Sequence, residues 1–139
     1  MIDSARTPRG RPFEILLLDD EEIVCQRLGP MLTKWGYSCE TFTDSLAARR
    51  RLEDHEFDVV VTDLKMANVD GMQLYEFVKD KWPDTAVIII TGFATVDITR
   101  QALQSGVRDI ISKPFKCTYL KEVIDTIAAE KRDAAGSSV

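Results

Sequence analysis

Apolar and polar positions along the chain predict five strands separated by helices. The first, third and fourth strands are near-continuous in Leu, Val and Ile, as expected for strands buried on both faces of a parallel sheet. The second, YSCETF, is more polar and predicts an edge strand. The predicted strands cover about 13–18, 37–42, 58–62, 86–90 and 108–112.

The segments between and after these strands have helical periodicity. Apolar stripes mark the first helix, at Val24, Leu28, Leu32 and Trp35, and the last, at Leu120, Val123, Ile124 and Ile127. Asp44 is the predicted N-cap of the second helix. Pro30 is expected to kink the first helix or end it early. Strand–helix alternation with short links predicts an α/β fold, a doubly wound parallel sheet with right-handed crossovers and helices on both faces.

Bulk composition indicates one ordinary globular domain. The chain has 139 residues, of which 45% are hydrophobic and 29% charged. Its net charge of -5 argues against nucleic acid as a direct partner. Cys25, Cys39 and Cys117 lack metal-site spacing, so we interpret them as reduced thiols in a cytoplasmic protein. The apolar segments are too short to predict a membrane span or a secretory signal.

The two ends differ from the central domain in composition. Residues 1–12 contain three arginines, two prolines and a glycine, which predicts a flexible basic arm. Either a docking tail or a disordered leader fits that composition. Residues 13–131 form the predicted domain. Residues 132–139 are predicted to be a disordered tail or the start of a linker.

Polar residues follow four of the predicted strands, where the chemistry of the protein is expected. Asp19 and Asp20 follow the first strand, Asp63 the third, Thr91 the fourth and Lys113 the fifth. In an open parallel sheet the carboxyl ends of the strands form the ligand crevice, so these side chains should meet. Three carboxylates provide the hard oxygen ligands that Mg2+ prefers, and a carboxylate can also accept a phosphoryl group. A hydroxyl and an ammonium can then bind phosphoryl oxygens.

Each of these residues also has an ordinary structural explanation. Paired aspartates after a strand often cap a helix, Asp63 fits a turn, Thr91 fits a strand end and Lys113-Pro114 is a common loop pair. Their joint placement at the ends of four strands favours a functional site.

The motifs LLLDDEE, VVVTDLKMANVDGM, IIITG and ISKPF together resemble the receiver domain of two-component response regulators, across roughly residues 13–131. The resemblance implies a CheY-like, flavodoxin-like sheet of strand order 2-1-3-4-5 with five helices. It implies Asp63 as phosphoacceptor and a Mg2+ site formed by Asp19, Asp20, Asp63 and the Lys65 backbone carbonyl. It also implies that Thr91 and Lys113 bind the phosphoryl group and that the Lys113–Pro114 peptide is cis.

The same resemblance implies partners and an output surface. The phosphoryl donor would be a phosphohistidine on a sensor histidine kinase or phosphotransfer protein. The output face would comprise the fourth helix, fifth strand and fifth helix, within residues 94–130. Charges of both signs on that face fit a homodimer interface or an ordinary solvated surface.

The chain departs from the family pattern near the site. Ile110 stands where an aromatic residue is usual, which weakens the expected coupling between Thr91 and that ring. Ala67 replaces a common proline, so the loop after Asp63 should be less rigid. We hypothesise that Lys65 approaches the phosphoryl group and that Phe93 shields it from water, so both set the lifetime of the phosphoaspartate.

Three other functions would each require different residues at these positions. A pseudo-receiver, a protein-interaction module that does not depend on phosphorylation, would not need Asp20, Asp63, Thr91 and Lys113, although Ile110 leaves room for it. A haloacid-dehalogenase-type phosphohydrolase would carry a second aspartate where this chain has Lys65. A flavodoxin-like cofactor binder would need a phosphate-binding loop in place of DDEE. His55 is expected to lie in a surface loop without a catalytic role.

Overall fold

The computed structural model describes residues 11–137, with side chains as far as residue 134, and its centre is a five-stranded parallel sheet. The strands are β1 Glu14–Leu18, β2 Ser38–Phe42, β3 Val59–Asp63, β4 Ala86–Thr91 and β5 Asp109–Ser112. Their order in the sheet is β2-β1-β3-β4-β5, which confirms the expected topology and places the polar strand β2 at an edge. The strand order reverses between β1 and β3: β2 lies on one side of β1, and β3, β4 and β5 lie on the other. This reversal creates a crevice beyond the carboxyl ends of β1 and β3.

Five helices alternate with these strands. They are α1 Glu22–Lys34, α2 Ser45–Asp54, α3 Gly71–Lys81, α4 Val96–Ser105 and α5 Cys117–Ser137. The predicted N-cap of α2 is confirmed, because the Asp44 carboxylate accepts a hydrogen bond from the Leu46 amide at 3.1 Å. A capping box between Asp70 and Gln73 begins α3.

Two apolar layers cover the faces of the sheet, as expected for a doubly wound fold. One contains Leu28 of α1 and Ile124 of α5 against the β1, β3 and β4 side chains. The other contains Leu52 of α2, Leu74 of α3 and Ala102 of α4. The predicted stripes of α1 and α5 both lie in the first layer, so helical periodicity identified the buried faces correctly.

Pro30 does not end α1 early, so that part of the prediction is wrong. The helix continues to Lys34, with Leu28 and Leu32 buried against the sheet and the Pro30 ring exposed. A proline inside a helix costs about 3 kcal/mol. Burial of each leucine contributes about 1.5–3 kcal/mol, so the packed face outweighs the missing hydrogen bond. A kink at Pro30 stays a prediction.

The structure describes only part of the predicted amino-terminal arm and carboxyl-terminal tail. Most of the predicted arm lies outside the described residues, but Arg11 pairs with Asp58 at 3.1 Å, at the start of β3. Helix α5 continues to Ser137, through residues that the sequence assigned to the tail. Within residues 11–137, none of the helices combines the length and apolar content that a bilayer span requires. All three cysteines are free thiols, as expected.

Candidate functional site

Four of the five side chains expected at the carboxyl ends of the strands, those of Asp19, Asp20, Asp63 and Lys113, meet there. Asp19 follows β1, Asp63 ends β3, and one oxygen from each of Asp19, Asp20 and Asp63 lies within 4.8 Å of the others. Asp19 is fully buried and Asp63 is 7% exposed, whereas Asp20 is exposed. The parallel order places β1 beside β3, so residues distant in sequence form one acidic cluster.

Lys113 lies at the centre of this cluster. Its Nζ is 2.8 Å from Asp19 Oδ2, 2.9 Å from Glu21 Oε1 and 3.2 Å from Asp63 Oδ2. Burial lowers the pKa of the Lys113 ammonium, but hydrogen bonds to the three carboxylates outweigh burial and raise the pKa. Lys113 therefore carries its charge at any physiological pH and neutralises part of the acidic cluster.

Asp19 is held in place by main-chain and side-chain donors. Its Oδ1 accepts a hydrogen bond from the Glu21 amide at 2.9 Å, and its Oδ2 accepts one from Lys113. Burial raises the pKa of the Asp19 carboxyl despite these bonds, and the nearby charge of Asp63 raises it further. A buried carboxylate beside a second one favours a cation as third partner, and the oxygen donor set fits Mg2+.

Asp63 is positioned by the turn that follows β3. Its Oδ1 accepts a hydrogen bond from the Leu64 amide at 2.7 Å, which leaves Oδ2 toward Lys113. Gly71, the first residue of α3, lies against this turn: a Cβ there would be 2.5 Å from the Asp63 carbonyl oxygen and 2.9 Å from Leu64 Cα. Only glycine fits this close approach, so α3 begins directly behind the Asp63 backbone.

Thr91 ends β4 and is fully buried. Asp63 pairs with Ile90 in the sheet register, which places Thr91 one residue further along the adjacent strand. The Thr91 Oγ1 accepts a hydrogen bond from the Phe93 amide at 3.0 Å, and its carbonyl accepts one from the Lys113 amide at 2.8 Å. The Thr91 hydroxyl retains its proton for a further acceptor.

Lys65 and Phe93 contact each other across the mouth of the site. The Lys65 ammonium lies 5.5 Å from the centroid of the Phe93 ring, within the range of a cation–π interaction. Phe93 is 58% exposed, so its ring faces solvent. This contact joins the loop after β3 to the loop after β4, beside the acidic cluster.

The remaining predicted residues lie on β5 and in the loop after it. Ile110 is partly buried and packs against the apolar layer of α2, α3 and α4. The peptide bond between Lys113 and Pro114 is cis, as the resemblance implied. The His55 ring lies 2.9 Å from Glu14, the first residue of β1. His55 is therefore at the amino ends of the strands, whereas the candidate site is at their carboxyl ends.

The sequence analysis missed two residues of this site. Glu21 hydrogen-bonds Lys113, and Gly71 leaves room for the Asp63 turn. The sequence features that could have indicated them are the DDEE run, whose third acid is Glu21, and the Asp70-Gly71 pair. Neither motif indicates which distant group it contacts.

Comparisons with known proteins agree with this geometry. The family model of the response regulator receiver domain matches residues 15–125. The transcriptional regulatory protein ZraR of Klebsiella oxytoca is 31% identical over 123 residues, or 88% of this chain and 28% of that protein. GlrR of Escherichia coli (strain K12) is 34% identical over 115 residues, or 83% of this chain and 26% of that protein. The chain thus spans less than a third of the length of these relatives.

Among solved structures, the beryllofluoride-activated NtrC4 receiver domain dimer is 30% identical to this chain. It superposes with a TM-score of 0.79 over 85% of this chain and 98% of the NtrC4 domain. The fold of this chain is therefore shared with a receiver domain that was solved in a beryllofluoride-activated form.

Proposed function

Because the chain belongs to the response regulator receiver domain family, we propose that it is a phosphorylation-activated switch of a cytoplasmic two-component phosphorelay. Asp63 would accept a phosphoryl group from a phosphohistidine on a sensor histidine kinase or phosphotransfer protein. The observation that carries this proposal is the placement of the Asp63 carboxylate 3.2 Å from the Lys113 ammonium, beside Asp19 and Asp20.

In the transfer, an Asp63 carboxylate oxygen attacks the phosphorus as the phosphorus–nitrogen bond to histidine breaks. The products are an acyl phosphate on Asp63 and an imidazole whose leaving nitrogen takes a proton from solvent, so that the ring is released neutral. The Leu64 amide holds Asp63 Oδ1, which leaves Oδ2, on the side of Lys113, as the attacking oxygen. Lys113 and the Thr91 hydroxyl would stabilise the charge on the transferred group.

Mg2+ fits the same cluster and would be held by Asp19, Asp20, Asp63 and the Lys65 backbone carbonyl. When bound, it would neutralise negative charge on the transferring phosphoryl group. The residues of the chain then orient that group: Asp19 is fixed by the Glu21 amide, and Lys113 by its backbone bond to Thr91.

Lys65 and Phe93 are proposed to set the lifetime of the phosphoaspartate. The Lys65 ammonium lies 5.5 Å from the Phe93 ring centroid, and this pair would limit the approach of water to Asp63. We expect Lys65→Ala and Phe93→Ala each to change the dephosphorylation rate relative to the parent. Unchanged rates in both variants would refute this role.

Phosphorylation adds a charge of about -1.5 to -2 at Asp63. We propose that the output is a changed surface of α4, β5 and α5, within residues 94–130, which forms a homodimer or contacts an effector. Val96 is 73% exposed on α4, and Leu103 and Tyr119 are also exposed on this face. The NtrC4 relative was solved as a dimer in its beryllofluoride-activated form. With Ile110 in place of an aromatic ring, Thr91 would act on α4 through the loop that includes Phe93, whose amide donates a hydrogen bond to Thr91 Oγ1.

Intact mass spectrometry tests this function most directly. The parent and Asp63→Asn are incubated with Mg2+ and acetyl phosphate. One added phosphoryl group on the parent alone supports the proposal. We propose that the domain catalyses only its own phosphorylation and dephosphorylation. No adduct, and no binding of beryllofluoride as a control for rapid hydrolysis, would favour a pseudo-receiver. Sustained release of phosphate from an external ester would instead indicate a phosphohydrolase.

A further inference from the structure

The carboxyl end of α4 is held by two side chains of α3. The Tyr75 hydroxyl donates a hydrogen bond to the Ser105 carbonyl at 2.6 Å, and the Lys79 ammonium donates a second one to the same oxygen at 3.2 Å. Tyr75 is buried, and Lys79 also lies 5.8 Å from the Tyr75 ring centroid. Ser105 is the last residue of α4, so these donors satisfy a carbonyl that has no partner within its own helix.

Gly106 is matched to this contact. It adopts a left-handed conformation with φ of 112°, which favours glycine. A Cβ at this position would lie 2.4 Å from the Tyr75 hydroxyl oxygen but 3.6 Å from the ring carbon that carries it. The tyrosine hydroxyl therefore occupies the space that any larger residue at position 106 would need. We refer to Tyr75, Lys79, Ser105 and Gly106 together as the α4 anchor.

The opposite end of α4 is held by its own cap and by one partly buried side chain. Thr95 Oγ1 accepts a hydrogen bond from the Ile98 amide at 3.1 Å, and Ile98 packs against the layer of α2, α3 and α4. Ala102 is the residue of α4 that is fully buried, and it lies one turn from Ser105. Val96, at the amino end, is 73% exposed. That end follows Thr91 and Phe93 directly in sequence, whereas the anchored end is attached to α3. A helix bound to a neighbouring helix at one end, and held mainly by its own cap at the other, can change its direction by rotating about the bound end.

We infer that the α4 anchor is a pivot, with Tyr75 as its positioning residue, about which the amino end of α4 moves when the site is occupied. The inference rests on the proposed function for the cause of the motion, but the anchor itself exists without phosphorylation. Loss of the Tyr75 hydroxyl should loosen the carboxyl end of α4 and remove the fixed point. The whole helix, rather than one end, would then respond to the site.

Amide hydrogen exchange of Tyr75→Phe tests the anchor in the unphosphorylated protein. We expect exchange of the Gly106 and Val107 amides, which close α4, to rise about 2- to 12-fold, the effect of one net hydrogen bond. Tyr119→Phe is the matched control, because it removes the same atom from an exposed tyrosine. Exchange in β3 and β4 should stay unchanged, which separates local loosening from global destabilisation. Equal exchange at 106–107 in both variants would overturn the anchor.

A double-substitution cycle tests the steric match. Gly106→Ala should lower the denaturant midpoint of the parent, because its methyl group meets the Tyr75 hydroxyl and its backbone is strained. In Tyr75→Phe the methyl group meets only the ring at an ordinary distance, so the same substitution should cause a smaller shift. Equal shifts in the two backgrounds would show that Tyr75 does not determine the need for glycine.

The pivot itself is tested with Mg2+ and beryllofluoride as the phosphoryl analogue. In the parent, exchange should change at residues 93–98 and stay constant at 103–107. In Tyr75→Phe the change should spread to 103–107. Equal changes at both ends of α4 in the parent would overturn the pivot alone. No change in exchange anywhere, together with no phosphoryl adduct on Asp63, would overturn both the pivot and the proposed function. The anchor would still be tested separately by the exchange measured without beryllofluoride.

Discussion

Replacing Lys113 with methionine should destabilise the metal-free domain. The Lys113 ammonium lies 2.8 Å from the fully buried Asp19 carboxylate and 3.2 Å from that of Asp63. Methionine retains an unbranched apolar stem but removes the charge. Lys113→Met therefore leaves two buried carboxylates facing each other without a cation, and the folded state must bear their repulsion and the loss of solvation.

The expected loss follows from the burial of these groups. Removing one partner of a buried ion pair costs about 3–5 kcal/mol. The Lys113 side chain is 18% exposed and the Asp63 side chain 9%, so partial solvation favours the lower end, about 3 kcal/mol. For a domain of this size that corresponds to a decrease in Tm of roughly 10 °C. Mg2+ at about 100 times the Kd of Lys113→Met should restore about 2.7 kcal/mol, because the dication replaces the missing ammonium. The same concentration should stabilise the parent less, because the Lys113 ammonium already offsets the two carboxylates and weakens Mg2+ binding.

Equilibrium denaturation followed by circular dichroism measures both effects. The parent, Lys113→Met and Lys116→Met are each unfolded in EDTA and in one fixed concentration of Mg2+. Lys116 is exposed and lies in the same loop, so its substitution matches the change in net charge. The reasoning is refuted if Lys113→Met and Lys116→Met unfold at the same midpoint in EDTA. It is equally refuted if Mg2+ stabilises Lys113→Met no more than the parent.

Three further predictions concern the same edge of the sheet and its surroundings. Gly71→Ala should lower the free energy of unfolding by about 1–3 kcal/mol, because its methyl group overpacks against the Asp63 turn, and it should also slow phosphorylation. Gly92→Ala, which has open space around it, should change the free energy of unfolding by no more than about 0.5 kcal/mol in the same denaturation experiments. Burial raises the pKa of Asp19, so ionisation of Asp19 opposes folding; in EDTA, the stability of Asp19→Asn relative to the parent should increase as the pH rises from the unfolded pKa to the raised one. Burial raises the pKa of Cys39 to about 12, so its thiolate fraction is roughly 1000-fold below that of a free thiol, and mass spectrometry should show slow alkylation near neutral pH.

The sequence predicted the local elements well because their signals are local. The Leu, Val and Ile runs identified the buried strands, and the spacing of Leu120, Ile124 and Ile127 identified the face of α5 that packs on the sheet. Pro30 does not end α1 early, because the free-energy cost of one proline is smaller than the gain from burying a whole helical face. The positions of Asp19, Asp63 and Lys113 at strand ends followed from the parallel arrangement, so their meeting could be expected before any distance was known.

What the sequence determined by itself was therefore the set of elements, their buried faces and the chemistry at the strand ends. The tertiary structure decided which side chains touch. Glu21 reaches Lys113 across 92 positions of sequence, and Tyr75 reaches Ser105 across 30. Such contacts depend on strand order, on how each helix packs and on the side-chain rotamers that packing permits. Periodicity carries no information about these because it is a property of one segment, whereas a contact is a property of two.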